Sequence, residues 1–493
     1  MKEGLRGQAI SGFGWRAVER YSTQSAQFLV SIVLARILTP HEFGLIALVM
    51  VFVSFGQVLI DGGFSDALVQ SEHADDACCS SVFFCNIVVG LLCAGLLSFS
   101  APVIAGFYKE DQLRHIIPTL SLNFIISSCG LVYSALLVKR LRFKSLAKVS
   151  VISTVVSGAV GVLLAVNHFG VWSLVGQSLS AQLARLFSLW TFTVWRPRVW
   201  FEWAAIKTIA PFGSRVLIAT ITESLFGNLN VIAIGKLFTP TTLGFYSRAD
   251  SLWSMTMSNF SSVLGSVAFP ILSTIKNSPE RLKRALKSAV EMLAFVSYPA
   301  AIGLVVVAHP LVLALLTRKW EPCVPFLQLL GAVWALYPMH AINLSVLLAQ
   351  GHSREYLRLQ LIKKAIGLIL LPLLFLGIYP FIFGQIASSC ISYFINCYYS
   401  GKLLQYPMSA QLRDSLPYIG CAVLMGFCIQ SVRFLHLSHV ALELVLEIGL
   451  GMVSYVLFCW WFRLPALAKA WEIIRNYRAQ NKALTPMKVK AVS

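Results

Sequence analysis

Apolar runs of about 18 or more residues recur from end to end of the chain, and they limit its fold more than any other feature. Two examples are residues 87–107 and residues 361–384, the second interrupted by a turn from Gly377 to Pro380. Because lipid tails offer the backbone no hydrogen bonds, such runs cross a bilayer as helices. Only 12% of the residues are charged, against about 25% in ordinary soluble domains. The sequence therefore predicts an all-α, polytopic membrane protein without a soluble domain.

Charge clusters and Pro/Gly breaks divide the chain into about fourteen predicted membrane helices. Their approximate limits are 13–38, 43–66, 80–107, 113–138, 149–167, 170–194, 209–237, 243–274, 288–316, 323–350, 359–377, 379–400, 414–434 and 440–462. Cytoplasmic connections are enriched in Lys and Arg. With the N-terminus inside, 28 of the 40 Lys and Arg fall in inside segments, seven outside and five within helices. This bias predicts two cytoplasmic termini, and it explains the net charge of +19 by topology and anionic lipid rather than nucleic acid.

The first predicted helix does not resemble a signal peptide, and the cysteines do not indicate disulfides or a metal site. Arg16, Glu19 and Arg20 lie in the first span, and no A-x-A-like cleavage site follows it, so we interpret it as a retained helix rather than a signal peptide. Of eleven cysteines only Cys78 and Cys79 are adjacent, and there is no C-x-x-C pair or zinc-type spacing. The sequence therefore implies no disulfide, no metal site and no cofactor beyond a transported coupling ion.

A phrase near the start of the chain returns in the same order 200 residues later. It reads "LARILTPHEFG" at 34–44 and "IGKLFTPTTLG" at 234–244. The identical positions are Thr39 and Thr239, Pro40 and Pro240, and Gly44 and Gly244. Six predicted helices separate the copies, so both have the same orientation, as in transporters built from parallel repeats. The alternative is two unrelated Thr-Pro turns, because proline commonly starts helices.

The repeat predicts two pseudo-symmetric six-helix lobes followed by an appended helix pair. The predicted limits are 1–207 for the N-terminal lobe, 208–401 for the C-terminal lobe, 402–463 for the appended pair and 464–493 for a basic cytoplasmic tail. Because each copy of the chain holds both lobes, we expect a monomer.

Several further phrases resemble a known family. They are "FLVSIVLARILTPHEFGLIALVMVF" (28–52), "DGGFSDALVQ" (61–70), "APVIAGFY" (101–108), "LLVKRLRFKSLA" (136–147) and "GVWSLVGQ" (170–177). On these phrases the chain resembles the polysaccharide transporter family, the bacterial flippases of lipid-linked oligosaccharide repeat units. That family belongs to the multidrug/oligosaccharidyl-lipid/polysaccharide (MOP) superfamily, and the exporters of colanic acid and teichuronic acid are the members most resembled. The resemblance is dense over 13–180, continues at "IGKLFTPTTLGFYSRAD" and is weak in the last two helices.

The resemblance implies a V-shaped, MATE-like bundle of six plus six helices with an extra pair, working by alternating access. It implies a substrate on an undecaprenyl-type diphosphate, moved from the cytoplasmic to the periplasmic leaflet of the bacterial inner membrane for surface polysaccharide synthesis. The implied partners are the lipid-linked oligosaccharide, the bilayer, and the polymerase and export machinery of the pathway.

A polar stripe on the first predicted helix is one candidate binding surface. At about 100° per residue, an arc of about 80° contains Arg16, Arg20, Thr23, Gln27 and Ser31, with Glu19 at its border. Polar side chains at this depth face a bundle interior or an aqueous cavity, and arginine is suited to phosphate or carboxylate. Arg16, Arg20 and Gln27 are therefore candidate substrate-binding residues. The alternative is that both arginines reach lipid headgroups near the cytoplasmic end.

The first two helices of the second lobe offer a less regular set. The first carries Arg215, Thr222, Glu223 and Asn230 within an arc of about 100°, and the second carries Arg248 and Asp250, which point nearly opposite ways. We take Arg215, Asn230 and Arg248 as candidate substrate-binding residues.

Three carboxylates are candidate ion-coupling residues: Glu19, Glu223 and Asp250. A carboxyl at membrane depth can bind a proton or Na⁺ during transport. The alternative is that Glu223 and Asp250 only neutralise arginines on neighbouring helices.

Three other features are ambiguous. Asp61 and Asp66 in "DGGFSD" fit a helix-ending turn better than an ion site. Arg185 either reaches the cleft or pairs locally. The basic segments 139–148 and 276–287 fit amphipathic stretches on the inner membrane surface better than substrate recruitment.

The balance of intramembrane charges favours an anionic cargo, because five arginines stand against two deep acids, Glu223 and Asp250. The predicted function is therefore a flippase with a cationic cleft and no catalytic residues, and no Walker A or hydrolase motif is present. One alternative is a membrane polymerase or ligase of lipid-linked sugars. Such an enzyme is expected to have at least one long periplasmic loop, and the outside connections of this chain are mostly short. The other is a multidrug exporter of the same superfamily, which more often has twelve helices and an acidic or aromatic cavity.

Overall fold

The protein is all-helical in the part that the structure, a computed structural model, describes: residues 2–71, 75–198, 201–275, 278–432, 439–472 and 475. Within these ranges, the side chains of residues 2–19, 204–205, 208–209, 258–271 and 273 are outside the description. The described residues form helices joined by short connections and contain no β-strand. The predicted all-α fold is confirmed.

The α-helices follow one another along the whole chain. In order they are α1 (Lys2–Ile37), α2 (Pro40–Asp61), α3 (Phe64–Gln70), α4 (Asp76–Tyr108), α5 (Leu113–Lys139), α6 (Phe143–Val166), α7 (Trp172–Phe192), α8 (Trp203–Leu237), α9 (Pro240–Thr274), α10 (Pro279–Val306), α11 (Ala308–Leu316), α12 (Val324–Ala335), α13 (Tyr337–Ala349), α14 (Ser353–Leu370), α15 (Ile378–Leu404), α16 (Met408–Ser431) and α17 (Val440–Trp461). Two 3₁₀ segments, Arg318–Cys323 and Leu371–Leu376, precede α12 and α15.

Each of the fourteen predicted helices coincides with helical structure. Among the described residues, eleven helical stretches are long and apolar enough to cross a bilayer, so the protein is a multi-pass membrane protein. The predicted crossings on α1, α7 and α9 do not belong to these stretches. α1 and α7 carry serines, glutamines and arginines along their length, as helices do when one face borders a cavity instead of lipid.

Several helix limits differ from the predicted ones. The predicted helix 43–66 is divided into α2 and α3, because Gly62 and Gly63 have positive φ values of 53° and 71°. Gly63 also packs so closely on Gly213 of α8 that a Cβ would overlap the Gly213 backbone. The basic residues of 279–287 and 354–358, which lie before the predicted helices 288–316 and 359–377, are inside α10 and α14. They form the first turns of these helices.

The chain folds as two compact units, Met1–Ser247 (unit 1) and Arg248–Ser493 (unit 2). In unit 1, α4 packs along α5, α6 lies between α1 and α7, and α8 packs against α2. In unit 2, α10 packs against α16, α16 against α17, and α13 against α15. The predicted lobe and tail limits stay a prediction.

The two repeated phrases form equivalent helix starts. Thr39 and Glu42 make a capping box at α2: the Glu42 amide donates to Thr39 Oγ1 (3.4 Å), and the Thr39 amide donates to Glu42 Oε2 (2.6 Å). At α9 the Thr242 amide donates to Thr239 Oγ1 (3.3 Å). The shared threonine thus satisfies an otherwise unpaired amide in both copies.

The glycines and prolines of the two phrases contact each other reciprocally within unit 1. A Cβ on Gly44 would overlap the carbonyl oxygen of Pro240, and a Cβ on Gly244 would overlap the carbonyl oxygen of Pro40. The first turns of α2 and α9 therefore meet backbone to backbone. Each phrase contributes one proline and one glycine to these two contacts, which explains why the Pro-x-x-x-Gly spacing recurs.

The segment between α7 and α8 is fixed against α4. The Trp195 ring is buried and packs edge-on against Phe83 and Tyr133, at centroid distances of 6.1 and 5.4 Å. Ser80 Oγ accepts the Arg198 amide hydrogen (3.1 Å), three residues further along the segment. These contacts set the position from which α8 begins.

A buried polar network connects three helices of unit 2. The side-chain amides of Asn343 on α13 and Gln411 on α16 each donate to the carbonyl oxygen of the other, at 2.9 and 3.0 Å. From α15, Ser400 Oγ donates to Asn343 Oδ1 (2.6 Å) and the Tyr393 hydroxyl donates to Gln411 Oε1 (3.1 Å). All four residues are buried. Because unpaired buried polar groups are costly, this network favours one register of α13, α15 and α16.

Candidate functional site

Within unit 1, polar side chains of α2, α5 and α7 are hydrogen-bonded from helix to helix. Gln57 on α2 donates from Nε2 to Ser127 Oγ on α5 (3.0 Å). Asn123 on α5 donates from Nδ2 to Ser178 Oγ on α7 (3.0 Å). Successive members on each helix are three or four residues apart, which places them on one side.

A further bond joins α8 to the same set. Asn228 donates from Nδ2 to Ser54 Oγ on α2 (3.2 Å) and to the carbonyl of Ser224 one turn earlier (2.8 Å). The interior of unit 1 therefore contains a continuous polar seam, which we define as the facing polar side chains of α2, α5, α7 and α8. Such a seam is unusual between membrane helices, where polar groups mark substrate or ion pathways.

The seam opens into a cavity of about 480 Å³ at the end of the bundle where the sequence predicts the cytoplasm. This volume falls in the range of ligand pockets, roughly 300–1,000 Å³. Its polar lining is Gln57, Asp61, Ser65, Asp66, Ser127, Ser134, Gln182, Arg185 and Thr220. The apolar part comes from Val58, Ile60, Ile126, Leu131, Leu186, Leu189, Val216 and Leu217. Hydroxyls and amides next to aliphatic side chains are suited to a ligand with many hydroxyl groups.

Charge in this cavity comes from one arginine and two aspartates. Arg185, seven residues before the end of α7, has an exposed side chain. Asp61 ends α2, and its Oδ1 accepts the Ser65 amide hydrogen (3.3 Å); Asp66 lies on α3. The helix-ending turn predicted for these aspartates is present, and both also line the cavity. A guanidinium near two carboxylates differs from the uniformly cationic cleft that we predicted from other arginines, and that cleft stays a prediction.

The predicted stripe on α1 lies outside this cavity. Arg20 and Gln27 are exposed, and Thr23 is partly buried. Further along, the same face of α1 packs on α6, where Val30 fits against Gly158. The side chains of Arg16 and Glu19 are outside the described residues.

The residues predicted on α8 divide between its faces. Arg215 and Glu223 are exposed, Asn230 is partly buried, and the Thr222 hydroxyl donates to the Ile218 carbonyl (2.7 Å). The cavity is lined instead by Val216, Leu217 and Thr220 of this helix. Sequence periodicity predicted the helix α8, but it did not predict which face of α8 borders the cavity.

In unit 2, Arg248 and Asp250 occupy different environments, as their spacing predicts. Arg248 is buried, with 8% of its surface exposed. Asp250 accepts a hydrogen bond at Oδ1 from Trp334 Nε1 on α12 (3.0 Å). The Trp334 indole thus holds this carboxyl group in place. Substrate binding by Arg248 and ion coupling by Asp250 stay predictions.

The sequence analysis did not identify the neutral residues of the cavity. Gln57, Ser127, Gln182 and Thr220 stand alone on four separate helices, so no single helix shows a strong polar pattern. A weak signal was present in the i, i+3 and i, i+4 spacing of Ser54, Gln57 and Asp61, and of Ser178, Gln182 and Arg185.

Comparison with known families identifies the kind of protein to which this cavity belongs. Residues 33–325 match the model of a family described as "Polysaccharide biosynthesis protein", which is more than half of the chain. The chain belongs to this family. The match to the polysaccharide biosynthesis family includes every helix that lines the cavity.

Individual members of the polysaccharide biosynthesis family extend the match. The chain is 29% identical over 348 residues to the teichuronic acid biosynthesis protein TuaB of Bacillus subtilis, covering 70% of this chain and 72% of the relative. It is 28% identical over 319 residues to the succinoglycan biosynthesis transport protein ExoT of Rhizobium meliloti, covering 64% of each. It is 23% identical over 406 residues to the lipopolysaccharide biosynthesis protein WzxC of Escherichia coli, covering 79% and 81%. The resemblance to polysaccharide exporters is confirmed.

Solved structures show that the fold is that of MOP transporters. The lipid II flippase MurJ in an inward closed conformation superposes with a TM-score of 0.70 at 13% identity, covering 91% of this chain and 98% of MurJ. An inward-facing MATE multidrug transporter of the MOP superfamily gives 0.58 at 16% identity, covering 79% and 99%. At these identities the likeness concerns the fold alone.

Proposed function

We propose that the protein is a flippase that moves a lipid-linked oligosaccharide repeat unit across the bacterial inner membrane. The observation that supports this most is the cavity of unit 1, where Arg185 and neutral amides and hydroxyls lie among membrane-crossing helices. A transporter of sugars needs such a surface inside the bilayer, and a protein with purely structural helices does not.

The physical requirement follows from the cargo. Each sugar hydroxyl costs a few kcal/mol if it enters hydrocarbon unpaired, and a diphosphate costs more. Gln57, Gln182, Ser134 and Thr220 replace water at the hydroxyls, because amides and hydroxyls both donate and accept. Arg185 supplies the fixed fork of donors that suits a phosphate.

The names of the relatives, which concern teichuronic acid, succinoglycan and lipopolysaccharide, support a saccharide cargo. The cargo is an oligosaccharide, anionic in our proposal, on an undecaprenyl-type diphosphate. It moves from the cytoplasmic to the periplasmic leaflet by alternating access, coupled to a proton or Na⁺. The protein acts as a monomer with both termini in the cytoplasm, and it carries out no catalysis. It delivers the flipped repeat units to the polymerase and export machinery.

The test uses a strain whose surface polysaccharide depends on this gene. Arg185→Ala and Gln182→Ala are compared with Arg114→Ala, a matched control outside the cavity whose guanidinium contacts only the exposed Asp111 (3.3 Å) in the described structure. We expect surface polymer to fall at least about tenfold in the cavity variants. A tenfold decrease corresponds to the loss of one charge-assisted contact with the cargo, worth about 1.4 kcal/mol or more. Unflipped repeat units accumulate in the inner leaflet, and Arg185→Lys retains part of the activity.

Two other outcomes contradict the proposal. Repeat units that reach the periplasmic leaflet and stay unpolymerised assign the protein to a later polymerase or ligase step. Normal polymer in Arg185→Ala, at normal membrane abundance, shows that this cavity does not carry the cargo.

A further inference from the structure

Unit 2 contains a histidine whose two ring nitrogens are both engaged inside the helix bundle. His340, in the first turn of α13, contacts two residues of α15. Its Nε2 lies 3.3 Å from Ser389 Oγ, and its Nδ1 lies 3.1 Å from Asn396 Nδ2. The edge of the ring faces Tyr393, at a centroid distance of 5.8 Å. An ionisable side chain at this position in a membrane protein is costly to keep unless it has a role.

The hydrogen-bond partners determine which nitrogen carries the proton. Ser389 Oγ donates its hydrogen to the Val333 carbonyl (3.2 Å), so it accepts from His340 Nε2–H. Asn396 Nδ2 can only donate, so Nδ1 accepts. The arrangement is therefore that of a neutral imidazole with its hydrogen on Nε2.

The same partners also fit a protonated ring. Asn396 is buried, with 2% of its surface exposed, and its Oδ1 has no hydrogen-bond partner in the described structure. A half-turn of the amide brings this oxygen to Nδ1, where it accepts from an added hydrogen. The N–H···N bond of the neutral state becomes an N⁺–H···O bond, which is stronger because the donor is charged. A ring held by two backbone carbonyls or two backbone amides would be restricted to one protonation state.

We propose that His340 takes up and releases a proton during the transport cycle, with rotation of the Asn396 amide adapting the site to each state. The proton adds to the Nδ1 lone pair from water and returns to water from the same atom, so no other bond is made or broken. This inference rests on the proposed flippase function, and it names the coupling ion of that function and its binding residue.

The groups around His340 set how readily it binds the proton. Burial among the helices is the main obstacle to a charge on His340, and the ammonium of Lys363, on α14, adds to it electrostatically. Lys363 is ten residues into α14 and partly buried. From α15 the facing titratable group is the Tyr393 phenol, which is engaged with Gln411. An anion that neutralises Lys363 therefore favours protonation of His340, which couples an anionic cargo to the proton.

The test measures protonation directly. The full-length protein with ¹⁵N-labelled histidine is placed in lipid bilayers, and its imidazole resonances are followed by solid-state NMR from pH 8 to pH 3. His340→Gln assigns the resonance among the nine histidines. We expect a neutral ring with hydrogen on Nε2 at high pH and a doubly protonated ring at low pH.

Substitutions test whether His340 binds a proton or has only a structural role. Asn396→Leu removes the acceptor and shifts the transition downward by about one pH unit or more, a tenfold loss of proton affinity. Lys363→Met moves it upward, and Lys364→Met, the neighbouring lysine, serves as the matched control. His340→Gln lowers surface polymer in the cellular assay at normal membrane abundance.

Failure of the inference and failure of the proposed function give different results. A His340 that stays neutral to pH 3 overturns the proton site, even if polymer still depends on Arg185. A His340 that titrates in a protein without gene-dependent flipping supports the proton site and overturns the flippase function. A transition unaffected by Asn396→Leu overturns the role of the amide.

Discussion

Asn343 and Gln411 exchange two hydrogen bonds, each side-chain amide donating to the other's carbonyl oxygen at 2.9 and 3.0 Å. Gln411 is completely buried and Asn343 nearly so, with 2% exposed. The two residues connect α13 to the first turn of α16. Packing of α16 against the rest of unit 2 therefore depends on polar complementarity as well as on apolar contact.

Substitution of one member of this amide pair is expected to destabilise the protein more than substitution of both. Asn343→Leu or Gln411→Leu leaves the partner buried without its bonds, at a cost of about 1–3 kcal/mol. The double variant removes both unpaired amides, so its loss is smaller than the sum of the single losses. Thermal unfolding of the purified protein measures this, with the exposed Gln430→Leu as the control. Strict additivity would show that the two amides do not interact.

The reciprocal contact in unit 1 predicts that neither repeat glycine tolerates a side chain. Gly44→Ala and Gly244→Ala place a methyl group on the carbonyl oxygens of Pro240 and Pro40. We expect each to cost about 1–3 kcal/mol through backbone displacement and to lower the unfolding temperature. Gly106→Ala, on α4, has nothing within 4 Å of its added methyl. Equal unfolding temperatures for all three variants would contradict the contact.

Stability and transport should respond differently to changes at Asp250 and Trp334. Trp334→Phe removes the indole donor from the partly buried Asp250 carboxyl group, and a buried acceptor left without its hydrogen bond costs about 1–3 kcal/mol. Asp250→Asn keeps an acceptor for the same indole and should unfold near the wild-type temperature. If Asp250 couples an ion, Asp250→Asn lowers surface polymer without losing stability. Normal polymer in this variant excludes Asp250 from coupling.

The segment before α8 should become accessible to protease when its aromatic contact is removed. Trp195→Ala deletes a buried ring that packs on Phe83 and Tyr133, a change that typically costs about 3–5 kcal/mol. Limited trypsin digestion after the exposed Arg198 should accelerate. Trp203→Ala, at a ring that is 58% exposed, provides the control. An unchanged rate of cleavage would mean that the hydrogen bond from the Arg198 amide to Ser80 and the contacts near it keep the segment in place without the Trp195 ring.

Much of the fold could be predicted from the sequence because apolar length and glycine or proline breaks are local properties. The runs that became α2, α4, α5 and α6 have few charges and well-defined ends. The exceptions arise where local and tertiary effects compete. Arg354 and Arg358 indicated a connection by charge, but α14 includes them because its buried face, at Leu359, packs within unit 2.

The site was less predictable, since it depends on which faces of four helices meet. The stripe from Arg20 to Gln27 was visible in the sequence because it lies on one helix. Ser127 and Gln182 were not, because a single serine or glutamine in an apolar span is common and gains meaning only from its neighbours on other helices. The same limit applies to His340, whose partners Ser389 and Asn396 lie about fifty residues away in the chain.

The reciprocal fit of the two Thr-Pro phrases also bears on ancestry. Symmetric homodimers associate through isologous contacts, in which one surface patch meets an identical patch of the second subunit. The starts of α2 and α9 meet in this way inside a single chain. If the two phrases arose by duplication, two copies of the ancestral half would make this contact on dimerising. Selection acts on the two phrases together, because a larger residue at either glycine displaces the proline of the other phrase.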